Sequence, residues 1–255
     1  MRPNLTKQAL RAGSVQIGCG FGQFRSPEIP RILKAAGFDW AFLDTEHGNF
    51  DLETIQDICR VASLIGLTPV VRVADIQYSL VARALDCGAE GIVFPRVESP
   101  ELLDRAVSWT KFPPVGVRGC GLSSMHVNYE PMSVSQIIEY WNENSMVILQ
   151  IETVRAFEMR DELLSVKGID AVMVGPVDLS ISLGVPGDFD NPKLIDTVEK
   201  IRDACNAHRV APGIQMRSLS QAKSWRARGM KFLGCSSDAG MLIEKANEIA
   251  KALKE

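Results

Sequence analysis

The 255-residue chain carries 28 lysine and arginine residues against 31 aspartate and glutamate residues, which gives a formal net charge of -3. This balance argues against a nucleic acid or an anionic membrane surface as the main partner. A hydrophobic content of 46% with 23% charged residues is typical of a globular chain with a large core, and it excludes a disordered or fibrous protein.

Short apolar segments alternate along the chain with longer segments of helical spacing. The apolar segments predict strands at 14–20, 40–46, 68–73, 91–95, 146–152, 171–175, 210–214 and 231–235. The segments between them predict helices at 27–36, 52–65, 78–86, 100–109, 154–164, 192–207, 219–227 and 240–252.

Strict alternation of eight strands with eight helices over about 250 residues is typical of a (β/α)8 barrel rather than of an open sheet. We therefore predict an α/β fold with one domain that spans residues 1–255. An irregular insert at 111–145, which ends in a short helix-like segment, separates the fourth helix from the fifth strand. Long irregular loops in compact domains are often functional or mobile, so the insert is a candidate for substrate contact.

The cysteines and the apolar runs indicate the compartment. Six cysteines occur without a C-x-x-C pair or a short spacing to histidine, which argues against structural zinc and against a disulfide framework. The first residues contain no apolar run of about 7 to 15 residues, and the chain has no apolar stretch of about 18 residues. We expect a cytoplasmic protein that binds neither membranes nor nucleic acids.

The carboxyl ends of the predicted strands carry mostly acidic side chains. In a (β/α)8 barrel this edge forms the active site. The residues there are Asp44, Glu46, His47, Arg72, Pro95, Arg96, Gln150, Glu152, Asp178, Gln215, Ser236 and Asp238. Converging carboxylates raise one another's pKa values unless a cation compensates their charge.

Glu152 and Asp178 are candidate ligands of a metal ion. Carboxylate oxygens with no cysteine nearby suit a hard divalent ion such as Mg2+ or Mn2+. Alternatively, Asp178 caps the following helix, because it stands just before LSISLG. Spacing alone leaves both interpretations open.

Lysine is missing from the predicted mouth. The lysine nearest to a strand is Lys231, which begins the eighth strand and therefore lies at the opposite end of the barrel. An enzyme that forms a Schiff base needs an amine at the mouth. Imine chemistry is disfavoured, and carbanion chemistry here would need a metal as the electron sink.

His47 and Arg72 are the candidates for proton transfer and anion binding. His47 follows an acidic strand end in LDTEHGNFD, and its alternative is a polar loop histidine with no catalytic role. Arg72 ends the apolar run TPVVRV, so it needs an anionic partner, either a neighbouring carboxylate or a substrate carboxylate. The glycines after the first strand do not complete a dinucleotide-binding motif, because Gln23 stands where the third glycine belongs.

Seven sequence blocks occur in order over most of the chain: GFDWAFLDTEHGNFD, PVVRV, RALDCGAEGIVFPRV, GVRGCG, LQIET, GIDAVMVGPVDLSISLG and APGI. In these blocks the chain resembles the metal-dependent pyruvate aldolases of the HpcH/HpaI family. The resemblance implies a (β/α)8 TIM barrel of the phosphoenolpyruvate/pyruvate type, with its C-terminal helix exchanged between subunits of a homohexamer, a trimer of dimers. It also implies a class II aldolase that cleaves or forms a 4-hydroxy-2-oxo acid, with pyruvate and an aldehyde as the products or substrates.

The resemblance assigns roles to individual residues. Glu152 in LQIET and Asp178 in GPVDLS resemble the metal ligands, for Mg2+, Mn2+ or Co2+. Arg72 resembles the arginine that holds the keto oxygen and stabilises the enolate. His47 resembles the acid/base residue, with Asp86 in RALDCG as its orienting partner across a subunit contact.

The substrate pocket implied by the resemblance includes Gln150, Gly175, Pro176, Val177 and Gln215. Two of these positions depart from the family pattern. Val177 replaces the usual alanine in GPADLS, and Gln215 replaces an apolar residue after APGI.

The insert also departs from the family pattern, because LSSMHVNYEP follows GVRGCG where relatives often carry an arginine-rich stretch. No arginine occurs between Arg118 and Arg155. Hydrogen-bonding side chains are available instead at Ser123, Ser124, His126 and Asn128. We therefore expect a preference for short, neutral or hydroxylated aldehydes, unless Arg25 or a neighbouring subunit supplies a cation.

Two other functions fit parts of the pattern. A lyase of the related citrate lyase or malyl-CoA lyase type would need a basic surface for the CoA nucleotide, and the chain has no evident cluster of that kind. A non-catalytic barrel that binds a small oxo acid would not need His47, Arg72 and the two carboxylates together.

Overall fold

The computed structural model describes residues 1–121 and 124–254, without the side chains of residues 124 and 125. Its strands are β1 (Gln16–Phe21), β2 (Trp40–Asp44), β3 (Thr68–Arg72), β4 (Gly91–Phe94), β5 (Met146–Ile151), β6 (Ala171–Val174), β7 (Gly213–Met216) and β8 (Phe232–Ser237). Its helices are α1 (Leu5–Arg11), α2 (Glu28–Ala35), α3 (Leu52–Ile65), α4 (Tyr78–Asp86), α5 (Pro100–Ser108), α6 (Val134–Asn144), α7 (Val154–Glu158), α8 (Arg160–Leu164), α9 (Pro176–Ser182), α10 (Pro192–Ala207), α11 (Leu219–Ala227) and α12 (Asp238–Lys254), with a short 3-10 helix at Ser124–Val127.

The strands close into a barrel in chain order, and every pair is parallel. This confirms the predicted (β/α)8 fold. Side chains alternate across each strand, so the apolar residues divide into two layers. One layer lies between the sheet and the helices, and the other fills the barrel interior.

The interior layer is centred on Trp40. Its ring stacks on Phe232 from β8, with ring centroids 3.9 Å apart. A methyl group added to Gly18 on β1 would overlap the Trp40 ring, so glycine is needed there to accommodate the indole. The tryptophan is fully buried, and its loss would leave a large cavity.

Strand parity explains how one sequence forms both the core and the mouth. Trp40 and Phe42 face the barrel interior, and the next residue of the same parity is Asp44. The same holds in β5, where Gln150 follows Ile148 and therefore faces inward at the carboxyl end. The apolar inner layer thus ends in polar side chains at the carboxyl face.

Local sequence explains where α3 and α6 begin and where α3 ends. Asp51 accepts a hydrogen bond from the backbone N–H of Thr54 at 2.8 Å and caps α3. Ser133 and Gln136 form a reciprocal capping box at the start of α6. The left-handed Gly66, with a φ of 80°, ends α3.

The structure differs from the predicted elements in four places. Helices α1 and α9 were not predicted, because α1 has few buried apolar residues and α9 follows its strand without a polar capping side chain. The predicted helix at 154–164 divides at Met159. The predicted strand at 210–214 begins instead at Gly213, because Pro212 has no backbone N–H for the ladder and Ala211 forms only an isolated bridge.

The described parts of the insert, residues 111–121 and 124–145, lie at the amino ends of the strands, opposite to the mouth. Helix α5 returns the chain to that end before the insert begins, and β5 starts from it. The ammonium groups of Lys7 and Lys111 both donate to the carbonyl of Ser145, at 2.8 and 2.7 Å. Lys7 also pairs with Asp170 at 3.3 Å. These bonds join α1, the insert and the barrel floor.

Helix α12 packs on its own barrel mainly through its first turn. Beyond it, Leu242, Ile243, Ile249 and Leu253 are exposed. This exposure is what exchange of the helix between subunits would require, and the exchange stays a prediction. None of the described helices combines the length and the hydropathy needed to span a membrane.

Glu90 generates a prediction about pH and stability. It is buried beside β4, its carboxylate accepts a hydrogen bond from the Ser63 hydroxyl at 2.6 Å, and burial raises its pKa to about 7. An unfolded glutamate has a pKa near 4.3. Between these two pKa values Glu90 is mostly ionised in the unfolded chain and mostly protonated in the folded chain. The free energy of unfolding therefore falls as pH rises through this range.

From pH 5 to pH 8 we expect the free energy of unfolding of the parent to fall by about 2 to 3 kcal/mol relative to that of Glu90→Gln, because the amide does not ionise. Urea unfolding at the two pH values measures this. Glu139→Gln, at an exposed glutamate of α6, is the matched control and should show no such change. A difference between parent and Glu90→Gln that does not vary with pH would contradict the prediction.

Candidate active site

A cavity of about 760 Å³ opens at the carboxyl ends of the strands. Eight of the ten predicted site residues line it: His47, Arg72, Gln150, Gly175, Pro176, Val177, Asp178 and Gln215. Glu152 lies directly behind Gln150, whereas Asp86 lies elsewhere. The cavity is at the face where (β/α)8 enzymes place their active sites.

Glu152 is buried at the base of this cavity. One of its oxygens accepts the backbone N–H of Arg96 at 2.9 Å, and the other accepts the side-chain amide of Gln150. Burial raises its pKa, and the nearby carboxylates of Asp178 and Glu46 raise it further. A cation near Glu152 would relieve both effects.

Gly175 provides the space that Glu152 occupies. A Cβ atom at this position would lie 2.9 Å from Oε2 of Glu152 and 3.1 Å from Nε2 of Gln150. The φ of Gly175 is -92°, so the requirement for glycine is one of space and not of backbone conformation. The short α9 helix can therefore approach the β5 carboxylate closely.

Asp178 is the third residue of α9, and its side chain lines the cavity. The N-cap of this helix is Gly175, and no side-chain hydrogen bond caps it. The capping alternative for Asp178 is therefore not observed. The Asp178 carboxylate instead interacts electrostatically with Glu152 and is available to a ligand in the cavity.

Arg72 finds its anionic partners within the chain. Its Nε and Nη2 donate to the two oxygens of Asp44, at 3.0 and 2.6 Å, and its Nη1 lies 3.0 Å from Glu46. Partial burial alone would raise the pKa of Asp44, but the Arg72 guanidinium and two backbone N–H groups hold it below its usual value. These two carboxylates fix the orientation of the guanidinium.

His47 lies in the loop after β2, where its side chain is exposed and lines the cavity. Its backbone N–H donates to Asp44 at 3.2 Å. The same carboxylate thus orients both Arg72 and the turn that carries His47. This arrangement connects the acid/base candidate with the anion-binding candidate.

The donor set at the base of the cavity suits a hard divalent cation. Glu152 and Asp178 supply carboxylate oxygens, and Oε1 of Gln150 is buried without a hydrogen-bond partner. Within residues 1–121 and 124–254 no group of three or more Asp, Glu, His or Cys side chains could hold a metal ion. A cation bound here therefore needs further oxygen ligands from water or from a bound molecule.

Asp86 is not brought to the cavity. It ends α4 at the amino face of the barrel, where it accepts a hydrogen bond from Nη2 of Arg118 at 2.6 Å. His126 lies 4.0 Å from the same carboxylate. A contact between Asp86 and His47 can form only between two subunits, and it stays a prediction.

Known proteins share this whole architecture. The sequence matches the family HpcH/HpaI aldolase/citrate lyase over residues 20–245. The chain belongs to this family.

Relatives match the chain over nearly its full length. A 5-keto-4-deoxy-D-glucarate aldolase of Escherichia coli O157:H7 (strain EC4115 / EHEC) is 31% identical over 99% of this chain and 98% of its own. An aldolase of the same name from Salmonella paratyphi C (strain RKS4594) is 33% identical with the same coverage. The crystal structure of an HpcH/HpaI aldolase from Desulfitobacterium hafniense DCB-2 has a TM-score of 0.94 and 32% identity, covering 100% of this chain and 98% of that one.

As a member of the HpcH/HpaI family, the chain is a class II aldolase and therefore a carbon–carbon lyase. This confirms the family and the enzyme class that the sequence predicts.

The aldolase cavity includes residues that the sequence did not single out for function. Arg217, Gln221, Glu244, Gln23 and Phe189 all line it. Arg217 was missed because the predicted seventh strand ended at Ile214, whereas β7 ends at Met216. A strand assigned two residues further along would have placed Arg217 at the mouth.

Asp238 has a positioning role that strand-end position alone does not show. Its buried carboxylate accepts backbone N–H groups from Gln23 at 3.1 Å and Phe24 at 2.8 Å. The loop after β1 lines the cavity, so Asp238 holds one wall of the mouth in place.

Among the side chains of the insert that the structure describes, none of the expected acceptor contacts lies at the cavity. Ser123 lies outside the described residues, as does the side chain of Ser124. His126 and Asn128 lie at the amino face, near Asp86 and Met1. The expected preference for neutral aldehydes rests on the lack of an arginine in the insert and takes no account of Arg217, which lines the cavity.

The contact of Gly175 with Glu152 generates a prediction. We expect Gly175→Ala to displace the buried Glu152 carboxylate and to reduce aldol cleavage by about 10-fold or more, because the added Cβ would lie 2.9 Å from Oε2 and 3.0 Å from Cβ of Glu152, so this side chain must move. Steady-state cleavage assays measure this. Gly22→Ala is the matched control, because Gly22 also lines the cavity but its added Cβ would meet nothing within 4 Å. Equal activity of the two variants would show that Glu152 does not need this space.

Proposed function

We propose that this aldolase reversibly cleaves a 4-hydroxy-2-oxo acid into pyruvate and an aldehyde, with a divalent metal ion bound at Glu152 and Asp178. The observation that carries the proposal is that Arg72 and Asp178 line one cavity and that the buried Glu152 interacts electrostatically with both. The relatives' name, which specifies a keto-deoxy sugar acid, supports a substrate of this class.

The reaction requires a base and a site that holds an enolate. Removal of the proton from the 4-hydroxyl lets the C3–C4 bond break, so that an aldehyde leaves and the electron pair passes into the pyruvate enolate. His47, exposed at the mouth, would accept that proton, directly or through water. In the reverse direction it returns the proton to the new hydroxyl.

The enolate oxygen is the charge that develops during cleavage. Arg72 is preorganised to bind it, because Asp44 and Glu46 hold the guanidinium before substrate arrives. Glu152 and Asp178 would hold Mg2+, Mn2+ or Co2+, which supplies Lewis-acid stabilisation of the same charge when bound. Gln150 offers a buried, unpartnered amide oxygen at the same place.

A Schiff-base route lacks its nucleophile. Among the residues that line the cavity in the described parts of the chain there is no lysine. This supports a metal-assisted enolate over an imine.

We also propose that the active enzyme is a homo-oligomer, a hexamer built as a trimer of dimers. The exposed apolar residues of α12 support a subunit contact through this helix. The position of Asp86 supports the same conclusion, because a neighbouring subunit is needed to bring it to His47.

Removal of the metal tests the proposal directly. We expect EDTA to abolish cleavage and Mg2+, Mn2+ or Co2+ to restore it, because both proposed ligands supply oxygen donors. Glu152→Gln and Asp178→Asn should each weaken metal binding in calorimetry, whereas Asp188→Asn, at an exposed loop, should not. Full activity after chelation, or a lysine adduct trapped with borohydride, would overturn the proposal.

Arg72 generates a separate prediction. We expect Arg72→Ala to slow the exchange of pyruvate methyl protons with solvent by about 10²- to 10³-fold, as removal of an oxyanion donor does. Arg72→Lys should also be slow, because a point charge cannot span Asp44 and Glu46. NMR in D2O measures the exchange without any aldehyde. Exchange at the parent rate in Arg72→Ala would remove Arg72 from the mechanism.

A further inference from the structure

Arg217 directly follows β7 and lines the mouth of the cavity. It stands two residues after Gln215, and both side chains line the cavity. The side chain of Arg217 is exposed, so it can reach a ligand without a change in the barrel.

The other cation of the strand ends that lines the cavity is already engaged. Arg72 is bound by Asp44 and Glu46. By contrast, no ion pair joins Arg217 to a carboxylate in the part of the chain that the structure describes. A guanidinium in this state is a ready donor to a carboxylate, because its planar fork matches the two oxygens.

Arg217 and Arg72 lie on opposite sides of the mouth. In the closed ring of eight strands β7 is four strands away from β3, which carries Arg72. A substrate whose oxo-acid end lies near Arg72 and Glu152 therefore extends across the cavity toward the β7 side. Beside Arg217 the cavity is lined by the amides of Gln215 and Gln221, and the Glu244 carboxylate of α12 also lines it.

We infer that Arg217 binds a carboxylate on the aldehyde half of the substrate and so makes this aldolase selective for carboxylate-bearing aldehydes. The inference rests on the proposed cleavage to pyruvate and an aldehyde. Arg217 would supply, within one chain, the cation that the insert does not bring to this cavity. The neighbouring Gln221 amide adds a hydrogen-bond donor for the same group or for a hydroxyl beside it.

The test compares aldehydes that differ in charge. Aldol addition of pyruvate is measured as kcat/KM for glyoxylate against glycolaldehyde and for succinic semialdehyde against butanal. The parent should prefer the acid in at least one pair. Arg217→Gln should lower kcat/KM for that acid by about 10- to 150-fold, which corresponds to loss of a hydrogen bond to a charged group, and leave its neutral counterpart within about twofold. Arg217→Lys should retain part of the preference.

Arg25→Gln is the matched control, because Arg25 lies in the loop after β1 and donates to the carbonyl of Asn49 instead of lining the cavity. Its selectivity should equal that of the parent. Exchange of pyruvate methyl protons needs no aldehyde, so it should be unchanged in Arg217→Gln if the variant is folded.

Three results would overturn the inference while leaving the proposed function intact. The first is a parent enzyme whose kcat/KM is no higher for either acid than for its neutral counterpart. The others are an equal loss of kcat/KM for acid and neutral aldehydes in Arg217→Gln, and a loss of selectivity in Arg25→Gln alone. Absence of both proton exchange and aldol product in the metal-supplied parent would overturn the proposed function, and the inference with it.

Discussion

The mouth of the barrel concentrates more negative charge than its nearby guanidinium can neutralise. Arg72 interacts with three carboxylates, and Glu152 interacts with a fourth; the four are Asp44, Glu46, Glu152 and Asp178. If all four are ionised, the formal charge with Arg72 is -3. A divalent cation would reduce this formal charge to -1, which would weaken the repulsion of an anionic substrate. The site therefore has less positive charge than its four carboxylates need, and the folded barrel holds these carboxylates in place despite their repulsion.

The same charges divide the carboxylates into two kinds. Asp44 has a guanidinium and backbone donors, so its pKa lies below the usual value and it serves as a permanent anion. Glu152 has no guanidinium bonded to it, and burial raises its pKa. Neighbouring carboxylates with opposite shifts have different tasks. One orients Arg72 and the His47 turn, and the other is available to a cation.

Much of this could be predicted from the sequence because parallel strands are buried on both faces. Their apolar runs are distinct, and polar residues at their carboxyl ends stand out. Glu152 and Asp178 were found in this way. Arg217 was not, because Pro212 delays the start of β7 and shifts its end past Gln215. Helix α9 was missed because its N-cap is a glycine, which gives no capping signal.

The insert illustrates a different limit. Its irregular sequence favoured a role at the active site, but chain order places it at the amino face, since any segment between a barrel helix and the next strand lies there. Topology therefore decides its position before composition is considered. Asp86 lies on the same face for the same reason, so its predicted role depends on a second subunit, which one chain's sequence does not place.

The stacking of Trp40 on Phe232 determines which fragments of the chain can bury this tryptophan. The ring packs against Gly18 of β1 and lies beside β8, so it covers the seam where the first and last strands meet. Those strands are joined by more than 190 residues of chain, and the seam forms only when both are present. A fragment that ends before β8 would leave this indole facing water. With Trp109, Trp141 and Trp225 replaced by phenylalanine, the fluorescence emission of Trp40 would report whether the ring of strands has been completed.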